Sequence, residues 1–319
     1  MRQLIGLLLV QGRVLQMAFK NHRFSRLELL VGREGLNRFR GKHVAIFGVG
    51  GVGSFVAEGL ARAAVGKLTL IDHDEVCVTN VNRQLHAFTD TVGKKKVELM
   101  AERLRRINPL LEVFPIAEHH HPEKGALILE EAERLAAQPI DLVMDCIDTL
   151  LPKVDLLERC IQRGLPVISS MGAASRLDPT QIQAADISET KVDPFAKQVR
   201  TKLRERGIHQ GVMTVFSTEA PIDPEQAVPG TEWTCICPTI EKQFGACQHK
   251  RVMLGTISYM PAMFGLWMVS VATRKWLQGV DLSQRDTLEH TPTFEELQRA
   301  MSLGSKPANL AAQEKDSAN

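Results

Sequence analysis

Val44-Ala-Ile-Phe-Gly-Val-Gly-Gly-Val-Gly-Ser54 is the stretch whose reading decides the fold. The apolar residues Val44 to Phe47 read as a buried strand, the glycines as a turn, and the chain from Ser54 as a helix. Gly48, Gly50 and Gly53 have G-x-G-x-x-G spacing. The first permits a tight turn, the second leaves no Cβ where a phosphate approaches the backbone, and the third lets helix pack on strand. The N–H groups near Ser54 then face an anion. By itself the spacing fits several nucleotides, and a dinucleotide oxidoreductase is its default reading.

Working outward, strands alternate with helices. Ser54 to Ala64 predicts a helix ended by Gly66, and Leu68 to Ile71 a short buried strand. Lys94 to Arg106 carries Val97, Leu99, Met100 and Leu104 at helical spacing and stops at Asn108-Pro109. Strands follow at Glu112 to Ile116, Asp141 to Asp145 and Pro166 to Ser170, with helices at Ala126 to Ala137 and Leu151 to Arg163. This order implies an α/β fold: a Rossmann-like, doubly wound, mainly parallel sheet with helices on both faces. From Gln181 the rhythm changes to a strand (Gln181 to Asp186), a helix (Pro194 to Arg206) and a strand (Val212 to Ser217), so extra strands and helices extend the C-terminal part. An irregular span runs from Pro221 to Lys250. Met253 to Ala272 is uncharged and long enough for a membrane span, but Pro261 near its middle and its glycines and hydroxyls favour a buried helix with a loop at its start. Thr293 and Glu296 form a capping box for one more helix, and a polar tail follows Gly304.

The expected organisation is an N-terminal extension over 1–23, disordered or helical, an activating domain over 24–280 divided at 170/171, and a helix and tail over 281–319. Within 24–40 the helical periodicity is imperfect, and an arm preceding the first strand is the expectation. Leu4 to Val10 is apolar but lacks a small-x-small cleavage motif. A weak organelle presequence carrying Arg2 and Arg13, or a start at Met17, are the other readings.

At 319 residues with 44% hydrophobic composition, the chain can bury an ordinary globular core. A net charge of +2 excludes a global electrostatic field for nucleic acid, so any such surface is a local patch. Six cysteines are few for this length and favour a reducing, cytoplasmic setting over a disulfide framework.

The second strand ends in Leu70-Ile-Asp-His-Asp-Glu-Val76, where an acid normally holds a ribose hydroxyl, and Asp72 and Asp74 both qualify. Thr79-Asn-Val-Asn-Arg-Gln84, Gly93-Lys-Lys-Lys96 and Asp145-Cys-Ile-Asp148 break the tie with a nicotinamide enzyme. Hydride transfer gives no reason to gather Asn80, Arg83, Lys96 and Asp148 near a phosphate loop. A nucleoside triphosphate does: cleavage between its first and second phosphates needs cations on the departing pyrophosphate and a carboxylate for magnesium.

With these motifs the chain resembles the ATP-dependent activating superfamily that includes ubiquitin-activating enzymes and the bacterial ThiF and MoeB proteins. The resemblance runs from about Phe24 to Leu277. It implies that Gly48, Gly50, Gly51 and Gly53 cradle ATP and that Asp74 holds the ribose. It also implies that Asn80 and Arg83 reach the phosphates, Lys96 neutralises phosphate charge and Asp148 holds Mg2+. Arg83, Lys96 and Asp148 would then be the catalytic residues. A homodimer is implied as well, with Arg83 able to enter the partner subunit's site. Lys94 and Lys95 are read as a solvated helix start.

Gly172-Ala-Ala174, Asp178-Pro-Thr-Gln-Ile182, Asp193-Pro-Phe-Ala-Lys197 and Ser217-Thr-Glu-Ala220 are similar to the tRNA threonylcarbamoyladenosine dehydratase branch. That branch implies adenylation of the threonyl carboxylate of a modified tRNA base beside the anticodon, then ring closure with release of AMP. Phe195, Val199 and Leu203 fall on one helical face, while Lys197, Arg200 and Arg204 line another that would meet tRNA. The rival readings are activation of a ubiquitin-like or sulfur-carrier protein, an NAD-dependent oxidoreductase and a non-catalytic adaptor. A sulfur-transfer partner is a further candidate. Cys235, Cys237, Cys247 and His249 are compact enough for zinc, but their spacing is not that of paired C-x-x-C motifs, so a reactive thiol or plain loop residues remain alternatives. His119-His-His121 is expected to be a surface loop. His73 and His86 receive no role, and Cys77 and Cys146 are expected to be small buried side chains.

Overall fold

The computed structural model describes residues 6–10, 13–17, 22–121, 124–222 and 254–282. The chain divides into two compact units, residues 1–38 with 279–319, and residues 39–278. In the first, the extension expected to be helical or disordered contains an antiparallel hairpin of β1 (Gly6–Val10) and β2 (Arg13–Met17), with Gly6 opposite Met17. α1 (Ser25–Arg40) begins in this unit. Gly32, at φ +70°, interrupts it and resets the helical phase, which is why the periodicity there reads as imperfect.

The second unit is built from β3 (His43–Phe47), α2 (Gly53–Arg62), β4 (Lys67–Ile71), α3 (Lys96–Ile107), β5 (Glu112–Ile116), α4 (Gly125–Ala136), β6 (Leu142–Asp145) and α5 (Leu150–Gln162). It continues with β7 (Val167–Ser170), β8 (Ile182–Asp186), α6 (Pro194–Glu205), β9 (Met213–Ser217) and α7 (Tyr259–Trp276). The seven strands lie in the order β5-β4-β3-β6-β7-β9-β8, all parallel except β8, which runs antiparallel to β9. Strand alternation sends Val44 and Ile46 into one core with side chains of α2, α3 and α7, while Ala45 and Phe47 enter the other with those of α4, α5 and α6.

Pro261 lies in the first turn of α7, where its missing N–H has no helical partner to lose, so the helix continues uninterrupted to Trp276. The glycines in this region serve close packing of α7 on α2. A Cβ at Gly265 would sit 2.6 Å from the Val52 carbonyl oxygen, and one at Gly59 would meet Val269 Cγ2 at 3.0 Å. Among the described residues no helix is long and apolar enough to cross a membrane. The Cys235, Cys237, Cys247 and His249 cluster, the helix from Thr293 and the polar tail lie outside the described residues.

Candidate active site

After β3 the chain winds outward to β4 and β5 and then returns to β6 on the other side, so the β3/β6 junction is the topological switch point of the sheet. Ligands of such sheets bind outside the carboxyl ends of the strands at that point. The glycine loop occupies it. A Cβ at Gly48, which has φ +86°, would lie 2.8 Å from the Cys146 carbonyl oxygen at the end of β6. One at Gly53 would lie 1.8 Å from the Gly48 carbonyl oxygen. These two glycines are required by the chain itself. Gly50 is different: its nearest neighbour is Gln84 Nε2 at 3.6 Å, an ordinary van der Waals distance, so the protein's own packing does not demand a glycine there. At Gly51 the neighbours are Pro261 Cβ at 3.1 Å and the Arg83 Cγ and Cδ at 3.3 Å.

The two acids after β4 divide the work. Asp72 accepts the Val49 N–H at 2.7 Å and the Asp74 N–H at 2.8 Å, so it fastens the glycine loop. Asp74 accepts the Lys96 ammonium at 2.6 Å. Burial pushes the Lys96 pKa down, but the carboxylates of Asp72, Asp74 and Asp148 outweigh it and hold the amine above its ordinary value. Lys96 is therefore a fixed positive charge in a buried setting, 5% exposed. Lys94 is exposed, and Lys95, its side chain 37% exposed, pairs with Glu75 at 3.3 Å.

Arg83 donates to the Thr79 carbonyl at 2.7 Å and to Asn82 Oδ1 at 3.0 Å. Burial lowers its pKa, and the Asp148 charge opposes that shift. Its stem lies over its own chain's Gly51. Asn80 is buried and its Oδ1 accepts the Cys77 N–H at 3.0 Å, so what it offers a phosphate is its amide N–H. Asp148 is exposed beyond the end of β6 and electrostatically coupled to both Arg83 and Lys96.

Residues 24–310 match the ThiF family. The chain belongs to that family. Among its relatives, the tRNA threonylcarbamoyladenosine dehydratase of Bacillus subtilis is 50% identical over 201 residues, covering 63% of this chain and 76% of that protein. The Escherichia coli enzyme of the same name is 40% identical over 210 residues, 64% of this chain and 76% of that one. The crystal structure of E. coli tRNA N6-threonylcarbamoyladenosine dehydratase, TcdA, in complex with AMP has a TM-score of 0.67 and 35% identity, covering 80% of this chain and 94% of that chain. The complex of the same protein with ATP gives 0.65 and 34%, with the same coverage.

In this ThiF-family member the glycine loop, Asp74, Asn80, Arg83, Lys96 and Asp148 converge at one end of the sheet. The cations expected to meet tRNA lie on α6. Val199 and Leu203 are buried as their spacing implies, Phe195 is half-buried, and Lys197 and Arg204 are exposed. Arg200 departs from expectation: it donates to the Thr190 carbonyl at 3.0 Å and to the Thr190 hydroxyl, so it holds the turn before α6.

Three features escaped sequence reasoning. Lys153 is fully buried, bonded to Asp145 Oδ2 at 2.5 Å, Ser169 Oγ at 3.1 Å and the Ser170 carbonyl at 3.0 Å. Asp145 Oδ1 in turn accepts the Ile147 N–H at 3.1 Å, which shapes the turn leading to Asp148. The only sequence signal was an apolar helix face containing a lysine. Next, the dehydratase-branch motifs meet one another: Asp193 accepts the N–H groups of Gly172, Phe195 and Ala196 and pairs with buried Arg176 at 3.3 Å, and Glu219 accepts the Leu177 and Asp178 N–H groups. Val192, next to Asp193, sits at φ +67°, a conformation that costs a β-branched residue about 1–3 kcal/mol. Finally, Cys77 and Cys146 are both half-buried, not buried as expected: Cys146 packs against the core with its thiol pKa raised by burial, and Cys77 Sγ lies 3.2 Å from Thr79 Oγ1.

His86 is 2% exposed, and neither ring nitrogen has a hydrogen-bond partner among the described residues. Burial, with Lys96 and Arg103 nearby, lowers its pKa from 6.5 to about 4. Between those values the unfolded chain takes up a proton that the folded chain refuses, so stability falls as pH drops through this window. The loss at the acid end is on the order of 3 kcal/mol. Urea unfolding at pH 7 and pH 4.5 should show a clearly smaller acid loss in His86→Leu. Equal losses in both proteins would assign the acid sensitivity elsewhere.

Proposed function

We propose that the chain is an ATP-dependent tRNA threonylcarbamoyladenosine dehydratase. The observation that carries the reading is that Gly50 is kept bare without any demand from the protein, in a loop whose next residue, Gly51, faces Arg83, a cation that with Lys96 feels the charge of Asp148. A phosphate chain seated on the loop meets N–H groups from the glycine turn and the start of α2, with Asn80, Arg83 and Lys96 as further donors. Asp74 takes the ribose, because Asp72 is committed to the loop's own backbone. Magnesium is held by one or two carboxylates together with substrate phosphates. The exposed carboxylate of Asp148 fits that donor set, and the ion would add charge neutralisation on the phosphates.

The threonyl carboxylate attacks the first phosphate, pyrophosphate leaves, and an acyl-adenylate forms. The carbamoyl group of the same modified base then attacks the activated carbonyl and AMP departs. Both reacting groups sit on one nucleoside, which supplies a large effective molarity, so no protein nucleophile is needed. The burial that raises the Cys146 pKa and pushes that of Cys160 up to about 12 keeps both thiols protonated and agrees with a mechanism that uses neither. The enzyme works as a homodimer in a reducing compartment. Exposed Val78, Val81 and Phe88 flank the segment bearing Asn80 and Arg83 and offer apolar surface to a second copy. Cys77, Cys146 and Cys160 are free thiols.

Nucleoside mass spectrometry after incubation with threonylcarbamoyl-modified tRNA and ATP should show a product lighter by one water, absent when ATP is omitted. Pyrophosphate exchange with a ubiquitin-like carrier and no change in the tRNA would replace this reading. Lys197 and Arg204 position the tRNA backbone. Replacing both with alanine should weaken tRNA binding and reduce its salt-dependence slope by about 2, roughly 1 per phosphate contact. An unchanged slope would place the RNA surface elsewhere.

A further inference from the structure

The three consecutive histidines do not form one surface loop. His120 turns inward, 4% exposed, against the Phe47 ring and 3.1 Å from Asp155. The extended backbone alternates its side chains, so His119 and His121 share the opposite side, with ring centroids 5.9 Å apart. A third histidine joins them from the neighbouring strand. β4 and β5 are parallel, with Ile71 beside Ile116, and the chain beyond their ends brings the His73 ring to 4.4 Å from that of His119.

Carboxylates adjoin this group. Ligand atoms of Asp72, His73 and Asp74 lie within 4.8 Å of one another. Asp72 is committed to two backbone N–H groups, whereas Asp74 Oδ1 faces His73 Nε2 at 3.2 Å. His73 and Asp74 have side chains 39% and 36% exposed, so an ion can reach them from solvent. We propose that His73, His119 and His121, with Asp74 as the adjoining carboxylate, bind a divalent transition metal of the zinc type. Three imidazoles and one carboxylate make up a four-coordinate donor set, and imidazole selects zinc, nickel or copper over magnesium. His119 and His121 turn onto the ion as it binds, since the donor atoms already within 4.8 Å of one another are those of Asp72, His73 and Asp74. The metal replaces the direct His73–Asp74 contact. Lys96, bonded to the other Asp74 oxygen, and Lys95, whose ammonium reaches the His73 carbonyl at 3.4 Å, are the nearby cations the ion must tolerate among the described residues. Because Asp74 is also assigned to the ribose, metal occupancy weakens ATP binding; that consequence, unlike the site itself, rests on the function proposed above.

The test is equilibrium dialysis of untagged, full-length protein against zinc without nucleotide, with cobalt absorption spectra as a second readout. The wild type should bind a zinc ion that the His119→Ala/His121→Ala double variant binds at least about tenfold more weakly, since even an outer-shell partner is worth 10- to 100-fold in metal affinity. Both substituted side chains lie outside the two cores, so an unchanged thermal midpoint will verify the fold. The cobalt spectrum should lack a thiolate charge-transfer band. Absence of zinc binding by the wild type, equal affinity in the double variant, or a thiolate band that the variant retains would each overturn the proposal.

Discussion

Arg83→Ala is expected to lower the rate of ring closure by roughly 10³-fold or more while leaving the thermal midpoint unchanged. Arginines placed on a transferring phosphoryl group are worth roughly 10³ to 10⁵ in rate, or about 4–7 kcal/mol of barrier. Arg83 has the position for that role, with its stem over Gly51 and its charge coupled to Asp148. Its protein hydrogen bonds go to the Thr79 carbonyl and Asn82 in its own segment, so few folding contacts are lost with it. Single-turnover assays at saturating ATP and tRNA would measure the effect on chemistry separately from binding. A rate within threefold of wild type would remove Arg83 from the mechanism.

The second large effect falls on stability. Lys153→Ala strands the Asp145 carboxylate, which like Lys153 is 0% exposed, with Ser169 Oγ and the Ile147 N–H as its remaining partners. Breaking one side of a buried ion pair costs about 3–5 kcal/mol. That is a large share of the roughly 5–15 kcal/mol that separates folded from unfolded domains. Urea unfolding would read it directly. Adding Asp145→Asn should recover part of the loss by removing the stranded charge. Because Asp145 also shapes the turn before Asp148, the single variant should bind ATP more weakly wherever it remains folded. A loss below about 1 kcal/mol would show that this network does not hold the site.

Both predictions rest on different kinds of legibility. The glycine loop could be read from sequence because its rule is local: Gly48 and Gly53 meet atoms only a few residues away or on the adjacent strand end. The alternation of Val44 to Phe47 between two cores was equally readable, since period-2 patterning belongs to the strand itself. The residues assigned to the triphosphate stand out in the sequence because their types make no sense for hydride transfer. The Lys153–Asp145 pair was missed because it joins a helix to a strand end, and helical spacing gives a buried lysine no partner. His119 to His121 were misjudged for a similar reason. Which of them faces inward depends on the strand's register with β4, which sequence spacing does not reveal. At Arg200 the helical face was read correctly, but Thr190, on the preceding turn, takes the guanidinium. Pro261 was set in mid-helix only because the start of α7 lies later than hydropathy suggested.

The central claim is that the threonyl carboxylate is activated by transfer to the nucleotide's first phosphate. Its most direct test uses tRNA whose threonylcarbamoyl carboxylate carries ¹⁸O, incubated with the enzyme, magnesium and unlabelled ATP. An acyl-adenylate route delivers one labelled oxygen to the AMP phosphate for each ring closed. Cyclised product accompanied by unlabelled AMP would contradict it.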